Sequence, residues 1–145
     1  MKKTLFWVAV IVAPLVVGLV VYLLFRPTAI VSQAIYGIFN ITPPCIKTPN
    51  NLFWILIKYY FCDLLWAFSL TALVKLILGK GKLQSIIALL IGISGGLFVE
   101  LFQLWGLIPG TFDVLDLLVE TIGTILSLII TITYSRRNEN EKQTA

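Results

Sequence analysis

Five carboxylic acids are the side chains in this 145-residue chain with most capacity for chemistry, and each lies inside or beside a long apolar segment. They are Asp63, Glu100, Asp113, Asp116 and Glu120. Clustered carboxylates can bind a cation through their oxygens, exchange protons, or act as general acids and bases. A carboxylate deep in lipid costs about 2.5–3.5 kcal/mol on insertion scales, so such a group is a functional-site hypothesis by default.

The composition excludes several other kinds of site. The chain contains no histidine, which excludes a Ser-His-Asp triad, a histidine-ligated metal and a histidine base. Its 2 cysteines are too few for a thiolate zinc cluster. The sequence therefore predicts no metal centre and no cofactor, and it assigns no catalytic residue.

The apolar content of the chain indicates a membrane protein. Hydrophobic residues make up 59% of the sequence and charged residues 12%, against about 45–50% and about 25% in soluble domains. Four apolar segments are long enough to cross a bilayer, at about residues 5–25, 56–78, 83–107 and 112–134. Because backbone polar groups in lipid must be paired internally, we predict an all-α fold. Residues 1–145 would form one polytopic bundle of four transmembrane helices.

Three further predictions concern individual segments of the chain. Residues 30–40 repeat apolar side chains at helical spacing but are too short to span, which predicts a short helix on the outer surface. The polar tail, residues 135–145, is predicted to be cytoplasmic and disordered. The first span resembles a signal peptide, but its apolar stretch exceeds the usual 7 to 15 residues or so and favours an uncleaved anchor.

Lysine and arginine residues are divided unevenly between the two ends of these spans. One end carries three, namely Arg26, Lys47 and Lys58, and the other carries the remaining eight. The larger group comprises Lys2, Lys3, Lys75, Lys80, Lys82, Arg136, Arg137 and Lys142. Since positive residues are retained on the inner side of the membrane, both termini are predicted to be cytoplasmic, in a multi-pass protein of the cell membrane.

In this orientation the acidic residues converge on the outer half of the bilayer. At 1.5 Å per residue, Asp63 lies about 6 Å, Glu100 about 10 Å and Glu120 about 12 Å below the outer boundary. Glu100 and Gln103 share a helix face, and the acids of the fourth span follow a spacing of three and four. We expect a polar pocket there. A hydrogen-bonded structural core is the alternative, and Asp113 would also suit a helix cap.

Glycine residues continue both polar stripes. Gly92 and Gly96 precede Glu100 by eight and four residues, and Gly123 follows Glu120 by three. Small residues at this spacing predict close helix packing in lipid, with the two stripes facing each other. The same glycines could instead pack against a second copy of the chain, so a homo-oligomer is also possible. The cytoplasmic halves of the spans contain no acidic residue, and their sequence is apolar. This argues against a carrier, which needs a polar path across the membrane.

Other residues near the outer boundary have two interpretations each. Cys45 and Cys62 are both predicted on the outer side of the membrane. They could form a disulfide, or they could remain two free thiols. Trp66, Tyr59 and Tyr60 are typical of an interfacial aromatic belt, with a stacking platform for a ligand as the alternative.

The polar residues of the last two spans resemble the signature of the VanZ-like membrane proteins, over residues 96–127. The matching segments read Glu100-x-x-Gln103 and Gly110-Thr-Phe-Asp113-Val-Leu-Asp116-Leu-Leu-Val-Glu120-Thr-Ile-Gly123. The family pattern is E-x-x-Q, a turn, an arginine-containing F-D-x-x-D, and then N-x-x-G. This chain has Gly110-Thr111 in place of the arginine and Glu120 in place of the asparagine.

The resemblance implies a small multi-span protein of the bacterial cell envelope, in a family whose founding member is associated with teicoplanin resistance. Combined with the polar cluster, it leads us to expect an outward-facing acidic pocket for a lipid headgroup, an envelope precursor or a small cation. The expected pocket residues are Asp63, Glu100, Gln103, Asp113, Asp116 and Glu120. A metal- or carboxylate-dependent intramembrane enzyme and a structural subunit are the alternatives. Membrane lipids are expected partners, and nucleic acid is not.

Overall fold

The computed structural model describes the backbone of residues 2–143 and the side chains of residues 4–137. Every regular element in this part of the chain is an α helix. The helices are α1 (Lys2–Phe25), α2 (Ile30–Phe39), α3 (Leu52–Tyr59), α4 (Phe61–Leu78), α5 (Lys82–Leu104) and α6 (Val114–Gln143).

Four of these helices are long and apolar enough to cross a membrane. The spanning segments are Thr4–Phe25, Phe61–Leu78, Lys82–Leu104 and Val114–Arg137. The chain is therefore an all-helical multi-pass membrane protein, and its apolar helices would contact lipid. The ends of the spanning helices at Phe25, Phe61, Leu104 and Val114 are called the acidic end below, and their opposite ends the basic end.

The segment between the first two spans contains two short helices. α2 occupies the region predicted to form a short helix, and it ends at Asn40, which adopts a left-handed conformation with φ 50°. The position of α2 at the membrane surface stays a prediction. α3 begins after Asn51, whose side chain accepts a hydrogen bond from the Trp54 backbone N–H at 3.1 Å.

The second span is shorter than the predicted 56–78 because the helix is interrupted at Tyr60. This residue has φ −114° and ψ −24°, and it separates α3 from α4. Its side chain is held by Asp113 at the start of α6. No glycine or proline lies near Tyr60, so helix-breaking residues do not reveal this division.

The last helix is longer than predicted. Residues 135–145 were expected to form a disordered tail, but α6 continues without interruption to Gln143. Residues 135–143 contain no glycine or proline and include several good helix formers, which allows a membrane helix to extend past the bilayer. Thr144 and Ala145 lie outside the described residues.

Helix α4 forms the centre of the bundle, where it packs against α1, α3, α5 and α6, while α5 and α6 also pack on each other. Leucine, isoleucine and valine side chains cover the outside. Among the described side chains, the largest fully buried ones all carry a hydroxyl: Thr71, Thr124, Thr131, Ser32, Ser69 and Ser127. This distribution suits lipid, in which apolar side chains gain little from burial and small polar residues promote helix contact.

Glycine allows α4, α5 and α6 to approach closely. A Cβ atom at Gly123 would collide with the Leu64 backbone carbonyl of α4, with the carbonyl carbon 3.2 Å away. A Cβ at Gly92 would meet the hydroxyls of Thr71 and Thr124. The glycines of α5 and α6 therefore let these two helices pack closely on each other and on α4.

Replacing Gly123 with alanine should loosen the contact between α4 and α6. We expect Gly123→Ala to lower the free energy of unfolding by about 1–3 kcal/mol, because the backbone of α4 must move to admit the methyl group. Thermal unfolding in detergent, followed by size-exclusion chromatography, measures this change.

Gly37 provides the matched control, because it is also helical and a Cβ there would meet nothing within 4 Å. Gly37→Ala should leave stability unchanged or raise it by up to about 1 kcal/mol. Equal melting temperatures for Gly123→Ala and Gly37→Ala would contradict the close approach.

Candidate functional site

The turn before α6 is held by carboxylates from two directions. The Asp113 backbone N–H donates to Glu100 Oε2 of α5 at 2.7 Å. The Asp113 side chain caps α6, since its Oδ1 accepts from the Leu115 N–H at 2.9 Å. Its Oδ2 accepts from the Tyr60 hydroxyl at 3.0 Å. Asp113 therefore joins α4, α5 and α6 at the acidic end, and its interpretation as a helix cap is confirmed.

Tyr60 lies just outside the spanning segment and stays a hydrogen-bond donor. The hydrogen bond to Asp113 raises the pKa of the Tyr60 hydroxyl above its usual value, and burial and the charges of Asp113 and Asp116 add to this increase. The phenol is therefore protonated across the physiological pH range, and it can hold the Asp113 carboxylate in place.

Glu120 is a buried carboxyl group of the site that lacks a full set of hydrogen bonds. It is 5% exposed, and its Oε2 has no hydrogen-bond partner among the described atoms. The carboxyl lies directly over Gly96, where a Cβ atom would collide with it. The Trp66 side chain of α4 is within hydrogen-bonding range of the same carboxyl. A buried acidic oxygen without a partner is costly, so a ligand or a proton is needed to satisfy it.

Asp63 and Asp116 complete an acidic cluster around Glu120. Asp63, Glu100 and Asp116, from three different helices, all lie within range for their charges to act on Glu120. The five residues Asp63, Glu100, Asp113, Asp116 and Glu120 are called the acidic cluster below. Gathering so many like charges favours a bound cation or protonation.

One cation approaches the cluster from the end of α1. The Arg26 charge acts on both Asp63 and Asp116. The guanidinium carbon lies 5.4 Å from the ring centroid of Tyr59 and 5.8 Å from that of Tyr22, which is typical of cation–π contacts. Arg26 thus supplies a positive charge at the rim, although no arginine lies in the Gly110-Thr111 segment.

Gln103 lies in the last turn of α5. Its side-chain amide packs against Gly110, where a Cβ atom would lie 2.5 Å from the Gln103 Cδ atom. Gly110 has φ +144°, a conformation that favours glycine. Among the described residues, no group of three or more acidic or cysteine side chains is arranged to hold a metal ion.

A line of buried hydroxyl groups continues from the acidic cluster toward the basic end. The Thr71 hydroxyl donates to Thr124 Oγ1 at 3.3 Å beside Gly92. Farther along α6, the fully buried Ser127 hydroxyl has no partner among the described atoms, and the Thr131 hydroxyl donates to the Ser127 carbonyl at 2.8 Å. These four residues are called the hydroxyl seam below.

The expectation that the helix halves at the basic end are apolar inside is therefore wrong. Lys75 of α4 is also buried there, with only 3% of its surface exposed. The mean hydropathy of these segments is high because lipid-facing apolar side chains outnumber the interior ones. Many of the interior side chains are polar.

Neither cysteine forms a disulfide. Cys45 is exposed, and the Cys62 thiol donates to the Gly18 carbonyl at 3.4 Å. The interpretation as free thiols is therefore confirmed.

The sequence places Arg26 at the same end as the site, and it gives Tyr60 and Trp66 a place there only as an alternative to an aromatic belt; their contacts with the carboxyl groups were not predicted. Tyr60 and Trp66 precede and follow Asp63 by three residues, a spacing that could have placed them on one face. For Arg26, no sequence spacing predicts a contact with the acidic residues, because its distance from them depends on how α1 packs against α4.

No family model matches the sequence, and no curated protein or solved structure matches it either.

The hydrogen bond from Asp113 to Glu100 provides a test of the turn. Glu100→Ala removes the acceptor and leaves the Asp113 N–H unpaired, which should lower the free energy of unfolding by about 1–3 kcal/mol. Glu100→Gln keeps an acceptor oxygen and should cost less. Thermal unfolding of both variants in detergent measures the difference, and equal losses would argue against this hydrogen bond.

Proposed function

We propose that the chain is a VanZ-like protein of the bacterial cell membrane, with cytoplasmic termini, whose acidic cluster is an outward-facing site for a cationic group. The observation that carries this proposal is the buried Glu120 carboxyl, with one oxygen unpartnered and other carboxyl groups around it. A cationic ligand would offset both the desolvation of Glu120 and the repulsion among its neighbours.

The balance of charge at the site favours an ammonium group as the ligand. The acidic cluster has five carboxyl groups, and one guanidinium, that of Arg26, acts on two of them, Asp63 and Asp116. An amine would bind among the carboxylates, while Arg26 at the rim suits the phosphate of the same headgroup. A zwitterionic lipid headgroup or a lipid-linked envelope precursor carries both groups, and a free small cation carries only the first.

A groove between α1 and α4 supports lateral access from the bilayer. It has a volume of about 240 Å³, and its lining is mainly apolar except for Asp63. Leu15, Gly18 and Tyr22 of α1 form one side of it. A lipid chain in this groove would bring its headgroup toward Asp63. The link to teicoplanin tolerance depends on the family resemblance alone.

Removing the Glu120 charge should weaken the binding of amine headgroups. We expect Glu120→Gln to reduce affinity for phosphatidylethanolamine about tenfold, because a charge-assisted hydrogen bond contributes about 1.5–3 kcal/mol. Native mass spectrometry of the purified full-length protein measures lipid retention. Competition by free ethanolamine would indicate a small cation as the ligand, and its absence would indicate a lipid.

Glu141→Gln is the matched control, since it removes the same charge near the end of α6, far from the cluster. It should bind phosphatidylethanolamine as the unmodified protein does. Retention of phosphatidylethanolamine that is unchanged in Glu120→Gln would refute the cation site.

Proton-coupled transport is a second candidate function, which the hydroxyl seam favours. Successive seam positions on α6 are three or four residues apart, or about 4.5–6 Å along the axis. One bridging water spans about 5.6 Å between two polar groups, so single waters could connect Glu120 with Thr124, Ser127 and Thr131. Such a chain of water and hydroxyl groups would pass protons between the acidic cluster and the basic end.

Proteoliposomes test this second function directly. With a potassium gradient and valinomycin, the enclosed dye pyranine should report proton entry that Glu120→Gln abolishes and Ser127→Ala slows severalfold. Thr121→Val is the control, because the Thr121 hydroxyl donates to the Leu117 carbonyl of its own helix and lies outside the seam. Proton entry no faster than in empty liposomes, or equal in all variants, would exclude proton transport.

A further inference from the structure

We propose that the basic end contains a binding site for a phosphate group, in a cavity between the α4–α5 turn and α6. This site is at the opposite end of the bundle from the acidic cluster and is independent of the function proposed there. The cavity has a volume of about 630 Å³. Its polar lining consists of four cations and two hydroxyls: Lys75, Lys80, Lys82, Arg136, Ser85 and Ser135.

Lys75 distinguishes this cavity from an ordinary positive membrane boundary. Positive residues that only set membrane orientation can stay in water, as Lys80, Lys82 and Arg136 do on the exposed surface. Lys75 is instead buried, with 3% of its surface exposed, and its ammonium donates to the Gly81 carbonyl at 3.4 Å. A buried cation is unfavourable unless an opposite charge compensates it.

The described part of the cavity wall offers no carboxylate to compensate Lys75. The described acidic side chains all belong to the acidic cluster, which occupies the far end of the bundle. Lys75 therefore lacks a carboxylate close to it within the described side chains. An anion in the cavity would neutralise Lys75 together with the lysines and arginine at its mouth.

The backbone at the start of α5 adds donors for the same anion. α5 begins at Lys82, directly after Gly81, so the first N–H groups of a 23-residue helix lie beside the cavity. The Ser85 hydroxyl donates to the Gly81 carbonyl at 2.8 Å, which orients this turn. Ser135 contributes a hydroxyl from α6. Lysine, arginine, hydroxyl and helix N–H donors together are typical of phosphate recognition.

The depth of the cavity suits two sources of phosphate. It lies where the spanning helices end, at Leu78, Lys82 and Arg137, and hence at the level of lipid headgroups. An anionic phospholipid headgroup and a soluble phosphate share the chemistry that these residues recognise. Binding measurements can separate the two sources.

Lys75→Met tests the site in the full-length protein. Replacing a buried ammonium with a methionine of similar length should preserve the fold, because the buried charge that is removed has no carboxylate close to it among the described side chains. We expect about tenfold weaker binding of phosphate groups. Native mass spectrometry measures retention of phosphatidylglycerol against phosphatidylcholine, and thermal shift measures inorganic phosphate against chloride at equal ionic strength. Loss of lipid retention alone would identify a headgroup, and loss of phosphate binding alone a soluble anion.

Two further variants keep the test decisive. Ser135→Ala removes one donor without changing charge and should weaken the same binding severalfold, even if Lys75→Met were to misfold. Lys58→Gln removes one positive charge at the acidic end and should have no effect. The proposal is overturned if phosphate binding is unchanged in Lys75→Met and Ser135→Ala, or if Lys58→Gln reduces it equally.

Discussion

Close contact between helices through glycine is the constraint on which the rest of this structure depends. Gly92, Gly96 and Gly123 remove the side chains that would hold α4, α5 and α6 apart. The space they leave is filled by hydroxyl and carboxyl groups, so the described interior is rich in polar side chains while large apolar side chains cover the surface. In lipid this arrangement is favourable only if the buried polar groups find partners, and the glycine contacts bring these partners within reach. Glu120 lies over Gly96 and has one oxygen without a hydrogen-bond partner among the described atoms.

The same contacts separate the molecule into two charged ends joined by a line of hydroxyls. At one end, Asp113 both stabilises the fold and belongs to the site. It caps α6, accepts a hydrogen bond from the Tyr60 hydroxyl, and donates one from its backbone N–H to Glu100. At the other end Lys75 is buried beside a basic cavity. Each end thus buries a charge that the described part of the protein does not neutralise. This shared feature is why both ends suit binding of an oppositely charged group.

The architecture could be predicted from the sequence because lipid leaves few choices. Backbone groups in a bilayer must be paired internally, so apolar segments of this length and pattern must be helices, and their number follows from hydropathy. The helical period also placed Glu100 on one face with Gly92 and Gly96. Hydropathy did not predict the helix ends correctly where a local feature interrupts or extends a helix. The break at Tyr60 is marked by no glycine or proline, and α6 continues past the predicted span because its polar end still favours a helix.

The sequence by itself determined that the chain is an all-helical membrane protein and that the acidic residues within or beside its spans are all at one end of them. Only the tertiary structure decided which groups meet inside the bundle. The contacts of Tyr60 with Asp113 and of Thr71 with Thr124 each join residues 53 positions apart. Such contacts depend on the rotation and relative height of separate helices, whereas periodicity describes each helix alone. For this reason Arg26, Trp66 and the buried Lys75 acquired their significance only from the packing.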